Sequence, residues 1–351
     1  MAQIIKKTPR KLPMLINSHS RSRATLVGLA VGDALGAPIE FLPEPQDYHI
    51  AQMGDKIAHF HKNYRVKKGA WTDDTEMALC IADSLLENGG YNSYDIMHKY
   101  LLWSTQGYRT VDGGPAADIG LQTARAIERF CDNPVIRADE EKEWSAGNGA
   151  IMRLAPIIIA SKDLYSAIEL ARLSCRETHN SIAAEAVTEM FATALYFALQ
   201  GKDKEYLATH FADHLTKDSY KDFYAENKYA LIGRAKEKDG AMLHNLGGYI
   251  VDAFAIAFWG LLNFETFEDG MLAVLQLGGD TDTNGAIYGQ LAGAYYGYEA
   301  IPEEWREGVY LANELIEIAD ELLAMEECPV VRTRFEDERN FEEVKFNERR
   351  A

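Results

Sequence analysis

Hydrophobic residues recur along most of the chain at the three- and four-residue spacing of α-helices. The segment 75–90 places a broad apolar face on one side and then reaches Gly89 and Gly90, which stop a helix. Segments 183–201, 249–264 and 309–325 repeat this pattern. The strict alternation that is typical of half-buried strands is scarce. The pattern therefore predicts an all-α fold, built as a single compact bundle of many helices.

Glycines recur at every fourth position in two of the predicted helices, around residues 28–36 and 285–297. The glycines are Gly28, Gly32, Gly36, Gly285, Gly289, Gly293 and Gly297. Each glycine inside a helix costs about 1 kcal/mol relative to alanine, so a close approach of two backbones has to offset the cost. We expect tightly packed helices; if they ran antiparallel, Glu40, Asp280 and Asp282 would lie at one end. Small residues that merely fit a crowded core are the alternative.

Two short segments combine aspartates with threonines. They are "WTDDT" at 71–75 and "GGDTDTN" at 278–284, and both stand at the start of a predicted helix. Acids at a helix start can simply cap free amides and favour the helix dipole. Taken together, the two segments also offer the hard oxygen ligands that Mg²⁺ or Mn²⁺ prefers. The candidate ligands are Thr72, Asp73, Asp74, Asp280, Asp282, Thr283 and Glu40.

The charge of this candidate site favours cations. Five carboxylates in one cleft would repel each other strongly, whereas two divalent ions would leave a net charge of -5 + 4 = -1. A calcium loop of the EF-hand type also begins with the pattern found at 280–285. Its twelfth position needs a bidentate glutamate, and this chain has Leu291 there, so the EF-hand interpretation fails.

Two further stretches contain residues that could bind a ligand or take part in catalysis. Gly147, Asn148 and Gly149 form a turn that could aim backbone amides at a phosphate, although a lone G-x-G is usually only a turn. The stretch "CRETHN" contains one histidine, His179. A histidine that stands alone in a motif is more often a hydrogen-bonded structural residue than a catalyst.

Composition limits the class of protein. The 351 residues carry a formal net charge of -18, which argues against nucleic acid and anionic membranes as partners. The apolar stretch 253–262 is far shorter than the ~20 residues of a membrane span. Four cysteines without a C-x-x-C pair suggest reduced thiols, and hence a cytoplasmic protein.

The charges are uneven along the chain. Residues 1–23 contain six lysines and arginines and no acid, so we interpret them as a basic N-terminal extension. Residues 24–325 form the predicted domain, and residues 326–351 a charged C-terminal tail.

The motifs, in this order, resemble the ADP-ribosylglycohydrolase family. The matching segments are "GLAVGDALGAPIEF", "GAWTDDTEMAL", "GGPAADIGLQTARA", "GNGAIMRLAPI", "CRETHN", "GGYIVDAFAIAFW" and "LGGDTDTNGAIYGQLAGAYYG". The resemblance implies an all-α fold with a binuclear Mg²⁺ or Mn²⁺ centre.

The resemblance also implies roles for individual residues. It assigns metal ligation to the candidate ligands named above, with Glu40 as a mobile ligand. It assigns acid–base chemistry at the scissile bond to Glu40, Asp74 or Asp118. It assigns contacts with ADP-ribose to Gly113, Gly114, Gly147, Asn148, Gly149 and His179, and a contact near the adenine to Tyr249.

The expected function is hydrolysis of the N-glycosidic bond between ADP-ribose and a protein side chain, most readily arginine. Serine-linked, nucleic-acid or small-molecule conjugates are alternative substrates, and a non-catalytic structural or interaction protein is an alternative class. Some relatives are immunity proteins against ADP-ribosylating toxins, so the basic extension is also a candidate for binding a cognate ADP-ribosyltransferase toxin.

Overall fold

The protein is described from a computed structural model that covers residues 16–42, 53–54, 56–59, 62–65, 67–134, 136, 145–240, 243 and 248–331. Within these residues the chain forms fourteen α-helices. They are α1 Ser18–Gly36, α2 Asp73–Asn88, α3 Ser93–Gln106, α4 Leu121–Asp132, α5 Ala155–Ala160, α6 Leu164–Thr178, α7 Ile182–Leu199, α8 Lys204–His210, α9 Asp218–Lys228, α10 Ile250–Asn263, α11 Phe267–Gln276, α12 Thr281–Tyr296, α13 Glu303–Gly308 and α14 Ala312–Ala324. The predicted all-α class is confirmed.

One β-hairpin interrupts the helical fold. Strand β1, Lys56–His59, pairs antiparallel with β2, Lys62–Arg65, in the register Lys56 opposite Arg65. Two strands of four residues are too short for a hydrophobic alternation to be visible in the sequence, which explains why this hairpin was not predicted.

The centre of the fold is the antiparallel pair of α1 and α12. Gly28 faces Gly289, Gly32 faces Gly285, and the backbone of Ala24 faces Gly293. A Cβ added to any of these glycines would overlap a backbone carbonyl of the other helix, so the backbones are in direct contact. The predicted close packing of antiparallel glycine helices is therefore confirmed. Gly297 differs from the other glycines because it ends α12 with a φ of 81°.

Helix α7 fills the interior of the bundle. The helix has 18 residues and is long and apolar enough to cross a membrane by length and composition, but 78% of that window is buried inside the protein. It packs against α6, α9, α10 and α12. Burial of this kind is what the core helix of a large helical domain shows.

Three of the four segments predicted from periodicity begin and end within about two residues of the observed helices α2, α7 and α10. Helix α2 ends at Gly89, whose φ of 59° only glycine adopts easily. Helix α14 begins at Ala312, three residues later than predicted, because Leu311 has a left-handed φ of 53°.

Part of the predicted basic extension belongs to the bundle. Residues 18–23 form the first turns of α1. Arg21 donates hydrogen bonds to the carbonyls of Ala198, Ala294 and Tyr295, near the ends of α7 and α12. Arg23 makes a two-point ion pair with Asp320 on α14. Residues 1–15 and the tail beyond residue 331 lie outside the described residues.

Candidate active site

The end of the α1–α12 pair that carries the acids opens into a cavity of about 720 Å³. The antiparallel arrangement brings the chain that follows α1 beside the chain that precedes α12. Among the sequence-predicted site residues, the lining contains Glu40, Asp73, Asp118, Gly147, Asn148, Gly149, His179, Asp280, Asp282 and Thr283. Residues that are far apart in sequence therefore meet in one cavity, as the sequence motifs predict.

Three carboxylates form the tightest cluster in the cavity. One oxygen from each of Glu40, Asp280 and Asp282 lies within 4.8 Å of the others, and all three residues are buried. The amide of Phe41 donates to Gly279 O at 2.8 Å, which ties the segment carrying Glu40 to the loop before α12. Asn148 Nδ2 donates to Asp280 Oδ2 at 2.7 Å and orients that carboxylate.

The start of α2 lies beside this cluster. Asp73 lines the cavity, and Thr72 Oγ1 is 3.5 Å from Asp282 Oδ2. Asp74 is completely buried. The segment that follows α1 and the amino ends of α2 and α12 therefore bring the seven predicted ligands into one region.

Asp33 on α1 is a buried acid beside the site that sequence reasoning did not identify. Its Oδ1 accepts hydrogen bonds from the amide and hydroxyl of Thr72, and its Oδ2 accepts from the amide and hydroxyl of Thr75. Thr72 makes no capping bond of its own, so Asp33 caps α2 from a neighbouring helix. An isolated acid among the small residues of "GLAVGDALG" is the signal that could have indicated it.

Crowding of acids changes their proton affinity. Burial, and then the charges of Asp33 and Asp73, raise the pKa of Asp74 well above its usual range. Burial, followed by the charges of Glu40 and Asp280, does the same to the pKa of Asp282. For Asp73 the pKa is raised by burial and by the charge of Asp118. Such a cluster is stable as carboxylates only if cations compensate the charge.

The donor set fits divalent metal ions. Both carboxylate oxygens of Asp74 are buried, and within the described part of the chain neither has a hydrogen-bond partner. A buried carboxylate without partners is costly unless something else satisfies its oxygens. Carboxylate and hydroxyl oxygens are the ligands of Mg²⁺ and Mn²⁺, so Asp74 with the neighbouring cluster could hold such ions.

The turn 147–149 lines the cavity next to Asp280. The amide of Asn148 donates to Gly248 O at 2.9 Å, so it is already used by the fold. Binding of a phosphate by backbone amides of this turn stays a prediction for the amides other than that of Asn148. His179 lies behind the turn, with its ring against Gly147 and Gly149.

The loop after α3 contributes Asp118 to the cavity, but Gly113 and Gly114 are not part of the lining described for it. Gly113 is exposed and has a φ of 75°, and the amide of Gly114 donates to Asp112 Oδ1 at 2.9 Å. Glu76 on α2 accepts from Trp103 Nε1 and from the amide of Val111, which holds this loop against the start of α2.

Tyr249 lies at the junction with a second cavity of about 780 Å³. It pairs with Gly147 in an isolated antiparallel bridge, and the residue is 41% exposed. The second cavity is also lined by Ile182 and Phe223. The predicted adenine contact therefore adjoins the acidic cavity through the turn at Gly147.

Comparisons with known proteins agree with this geometry. The family model described as "ADP-ribosylglycohydrolase" matches residues 14–330. The chain is 31% identical to an ADP-ribosylarginine hydrolase Tri1 of Pseudomonas putida (strain GB-1), over 86% of this chain and 77% of that protein. It is 30% identical to the ADP-ribosyl-[dinitrogen reductase] glycohydrolase of Rhodospirillum rubrum, over 88% of this chain and 97% of that protein.

A solved structure described as an "ADP-ribosylglycohydrolase-related protein complex" superposes with a TM-score of 0.71 and 36% identity, covering 88% of this chain and 99% of that chain. The fold and the acidic cavity define a helical glycohydrolase. The chain belongs to the ADP-ribosylglycohydrolase family and is an enzyme that hydrolyses ADP-ribose conjugates.

Proposed function

We propose that the protein is a metal-dependent hydrolase that removes ADP-ribose from modified arginine side chains. The observation that carries the proposal is the convergence of Glu40, Asp280 and Asp282 beside Asp74, whose carboxylate has no hydrogen-bond partner among the described residues. Similarity to an ADP-ribosylarginine hydrolase supports the choice of arginine.

The proposed cofactor is a pair of Mg²⁺ or Mn²⁺ ions held by Glu40, Thr72, Asp73, Asp74, Asp280, Asp282 and Thr283. When bound, the ions would polarise oxygens of the distal ribose and of a water molecule next to C1.

The carboxylates of the cavity provide the acid–base chemistry. Glu40, Asp74 or Asp118 would accept the proton of the attacking water. Glu40 and Asp118 line the cavity directly, whereas Asp74 is buried behind its wall. Cleavage at C1 develops positive charge on the sugar, and these acids would stabilise it electrostatically. The same negative charge would attract the guanidinium of an arginine substrate.

The polar wall around the turn 147–149 would bind ADP-ribose. His179 offers a ring nitrogen there, and the neighbouring Tyr249 offers an aromatic face for the adenine. Gly113 and Gly114 would reach the ligand from the loop above the start of α2.

A comparison of linkages tests the proposal. Proteins carrying ADP-ribose on arginine, serine or glutamate would be incubated with the enzyme and Mg²⁺ or Mn²⁺, and free ADP-ribose measured. We expect rapid release from arginine and loss of release after chelation. Release from serine alone would contradict the arginine assignment, and equal rates with and without chelator would contradict the metal dependence.

We further propose that the enzyme acts as an immunity protein against an ADP-ribosylating toxin. Arg21 and Arg23 are engaged within the bundle, which leaves Lys6, Lys7, Arg10 and Lys11 as the basic residues of the arm. Removal of residues 1–15 should leave hydrolysis unchanged and weaken the complex with a cognate ADP-ribosyltransferase. An unchanged dissociation constant for that complex would reject the role of the arm.

A further inference from the structure

A buried chain of hydrogen bonds leads from Arg153, in the turn before α5, to the cavity wall. Arg153 Nη2 donates to Thr178 Oγ1 at 2.7 Å and to Ser174 O at 3.0 Å. Thr178 Oγ1 in turn lies 2.7 Å from His179 Nδ1. Arg153 is fully buried, and Thr178 and His179 are 3% and 2% exposed, so water does not compete along this chain.

The hydrogen bonds from Arg153 to His179 run in one direction. A guanidinium can only donate, so Thr178 Oγ1 accepts from Arg153. In the described part of the protein, His179 Nδ1 is the acceptor within reach of the Thr178 hydroxyl hydrogen. A buried hydroxyl hydrogen left without an acceptor is unfavourable, so Thr178 donates to Nδ1. Nδ1 is then unprotonated, and the proton of the neutral ring resides on Nε2.

The charge of the ring follows from the same surroundings. Burial, and secondarily the nearby charge of Arg153, lower the pKa of His179 to about 3. An imidazolium would also need a hydrogen on Nδ1, where the Thr178 hydroxyl already donates. The ring is therefore neutral near pH 7.

Two glycines leave Nε2 open toward the cavity. A Cβ at Gly147 would lie 3.1 Å from Nε2, and a Cβ at Gly149 would lie 3.5 Å from it. Either side chain would narrow access to this nitrogen. His179 lines the cavity together with both glycines. The absence of a side chain at both positions thus agrees with a ligand atom that approaches Nε2.

We propose that Arg153 and Thr178 are positioning residues that hold His179 as the neutral Nε2–H tautomer, so that the ring donates a hydrogen bond to an acceptor oxygen of bound ADP-ribose. This inference rests on the proposed function for the identity of the ligand. The tautomer itself follows from the hydrogen bonds and can be measured without any substrate.

Nuclear magnetic resonance tests the tautomer in the full chain. With ¹⁵N-labelled histidine, the signals of His179 would be assigned by their absence in His179→Gln. At pH 7 we expect a pyrrole-type Nε2 and a pyridine-type Nδ1. Thr178→Ser should keep this pattern because it keeps the hydroxyl, whereas Thr178→Val should lose it. A protonated Nδ1 in the unmodified protein would overturn the proposal.

Isothermal titration calorimetry with free ADP-ribose, in the presence of Mg²⁺, tests whether the orientation of His179 by Thr178 strengthens ligand binding. Loss of one well-placed hydrogen bond should weaken binding about tenfold in Thr178→Val, and Thr178→Ser should bind like the unmodified protein. Thr193→Val is the matched control, because Thr193 is also a buried helical threonine but donates to Glu189 O on α7. It should bind normally.

The two readouts separate this proposal from the proposed function. Equal ADP-ribose affinity in Thr178→Val and Thr178→Ser would overturn the positioning role even if hydrolysis is confirmed. Absence of ADP-ribose binding by the unmodified protein would instead refute the function, and with it the identity of the ligand, while the tautomer measurement would stand.

Discussion

At the scale of single residues, Asp33 shows how a buried acid can organise a site without lining it. Its two oxygens accept four hydrogen bonds from Thr72 and Thr75, which fixes the first turn of α2. Burial raises the pKa of Asp33 to about 6, while these hydrogen bonds oppose the shift. At pH 7.5 the side chain is therefore a carboxylate that is satisfied by its four donors.

Asp33→Asn tests this role. The amide keeps one acceptor oxygen but turns an NH₂ group toward donors, so we expect a loss of about 1–3 kcal/mol in the free energy of unfolding. Displacement of Thr72 should also reduce hydrolysis at least about tenfold. Asp163→Asn is the control, because Asp163 caps α6 by accepting from the amide and hydroxyl of Ser166 at an exposed position. Full activity of Asp33→Asn at pH 7.5 would reject the positioning role.

The lowered pKa of His179 predicts how the free energy of unfolding depends on pH. Its folded pKa of about 3 lies below the ordinary value of 6.5, so between these values the unfolded chain binds a proton that the folded chain does not. The free energy of unfolding should therefore fall as the pH drops below 6.5, by up to about 1.4 kcal/mol per pH unit from this residue. Urea titrations with chelator at pH 7.5 and pH 5 would show a smaller fall in His179→Gln than in the unmodified protein. An equal fall in the free energy of unfolding of both proteins would contradict the lowered pKa of His179.

At the scale of secondary structure elements, the contact of α1 with α12 sets the geometry of the site. The shared glycine faces allow the two backbones to touch, and Thr281 Oγ1 donates to Gly36 O at 2.8 Å where the helices meet the cavity. A separation of the helices would move Glu40 away from Asp280 and Asp282. The glycines therefore serve the site as well as the core.

Gly289→Ala should disrupt this contact. The new methyl group would overlap Gly28 O, which is backbone and cannot rotate away. We expect a loss of more than about 2 kcal/mol in the free energy of unfolding, measured by urea denaturation. Gly308→Ala is the control, since among the described residues a Cβ there would meet only Met53 Sδ at 3.7 Å. Equal stability of the two variants would mean that the helices do not pack as closely as described.

The helices and the acidic motifs were predictable from sequence because both depend on local spacing. Periodicity located α2, α7 and α10, and the repeated glycines indicated the close pair of α1 and α12. Asp33 and the chain from Arg153 to His179 were not predictable in this way. Each joins residues from different elements by hydrogen bonds, and sequence spacing contains no information about which distant side chains meet.

At the scale of the whole molecule, the acidic cavity is a source of instability that bound cations would remove. It gathers carboxylates from segments near residues 40, 73 and 280, so repulsion among them opposes the closed arrangement of α1, α2 and α12. Ions that bind the folded chain alone would stabilise the entire bundle.

Thermal unfolding with and without metal measures this effect. At a metal concentration of about one hundred times the dissociation constant, Mg²⁺ or Mn²⁺ should add about 2.7 kcal/mol to the free energy of unfolding and raise the melting temperature. Asp282→Asn should show a much smaller rise because it removes one carboxylate of the cluster. An identical melting temperature with metal and with chelator would contradict a metal site in this cavity.

The most direct test of metal-dependent hydrolysis in this cavity is the release of ADP-ribose from an ADP-ribosyl-arginine protein by the unmodified enzyme and by Asp74→Asn, both with Mg²⁺ or Mn²⁺. Asp74 is fully buried and has no hydrogen-bond partner for either oxygen in the described residues, so the substitution should leave the fold intact, as judged by circular dichroism. We predict turnover by the unmodified enzyme and a loss of at least about a hundredfold in the variant. Turnover by Asp74→Asn at the rate of the unmodified enzyme would contradict a catalytic metal site that includes Asp74.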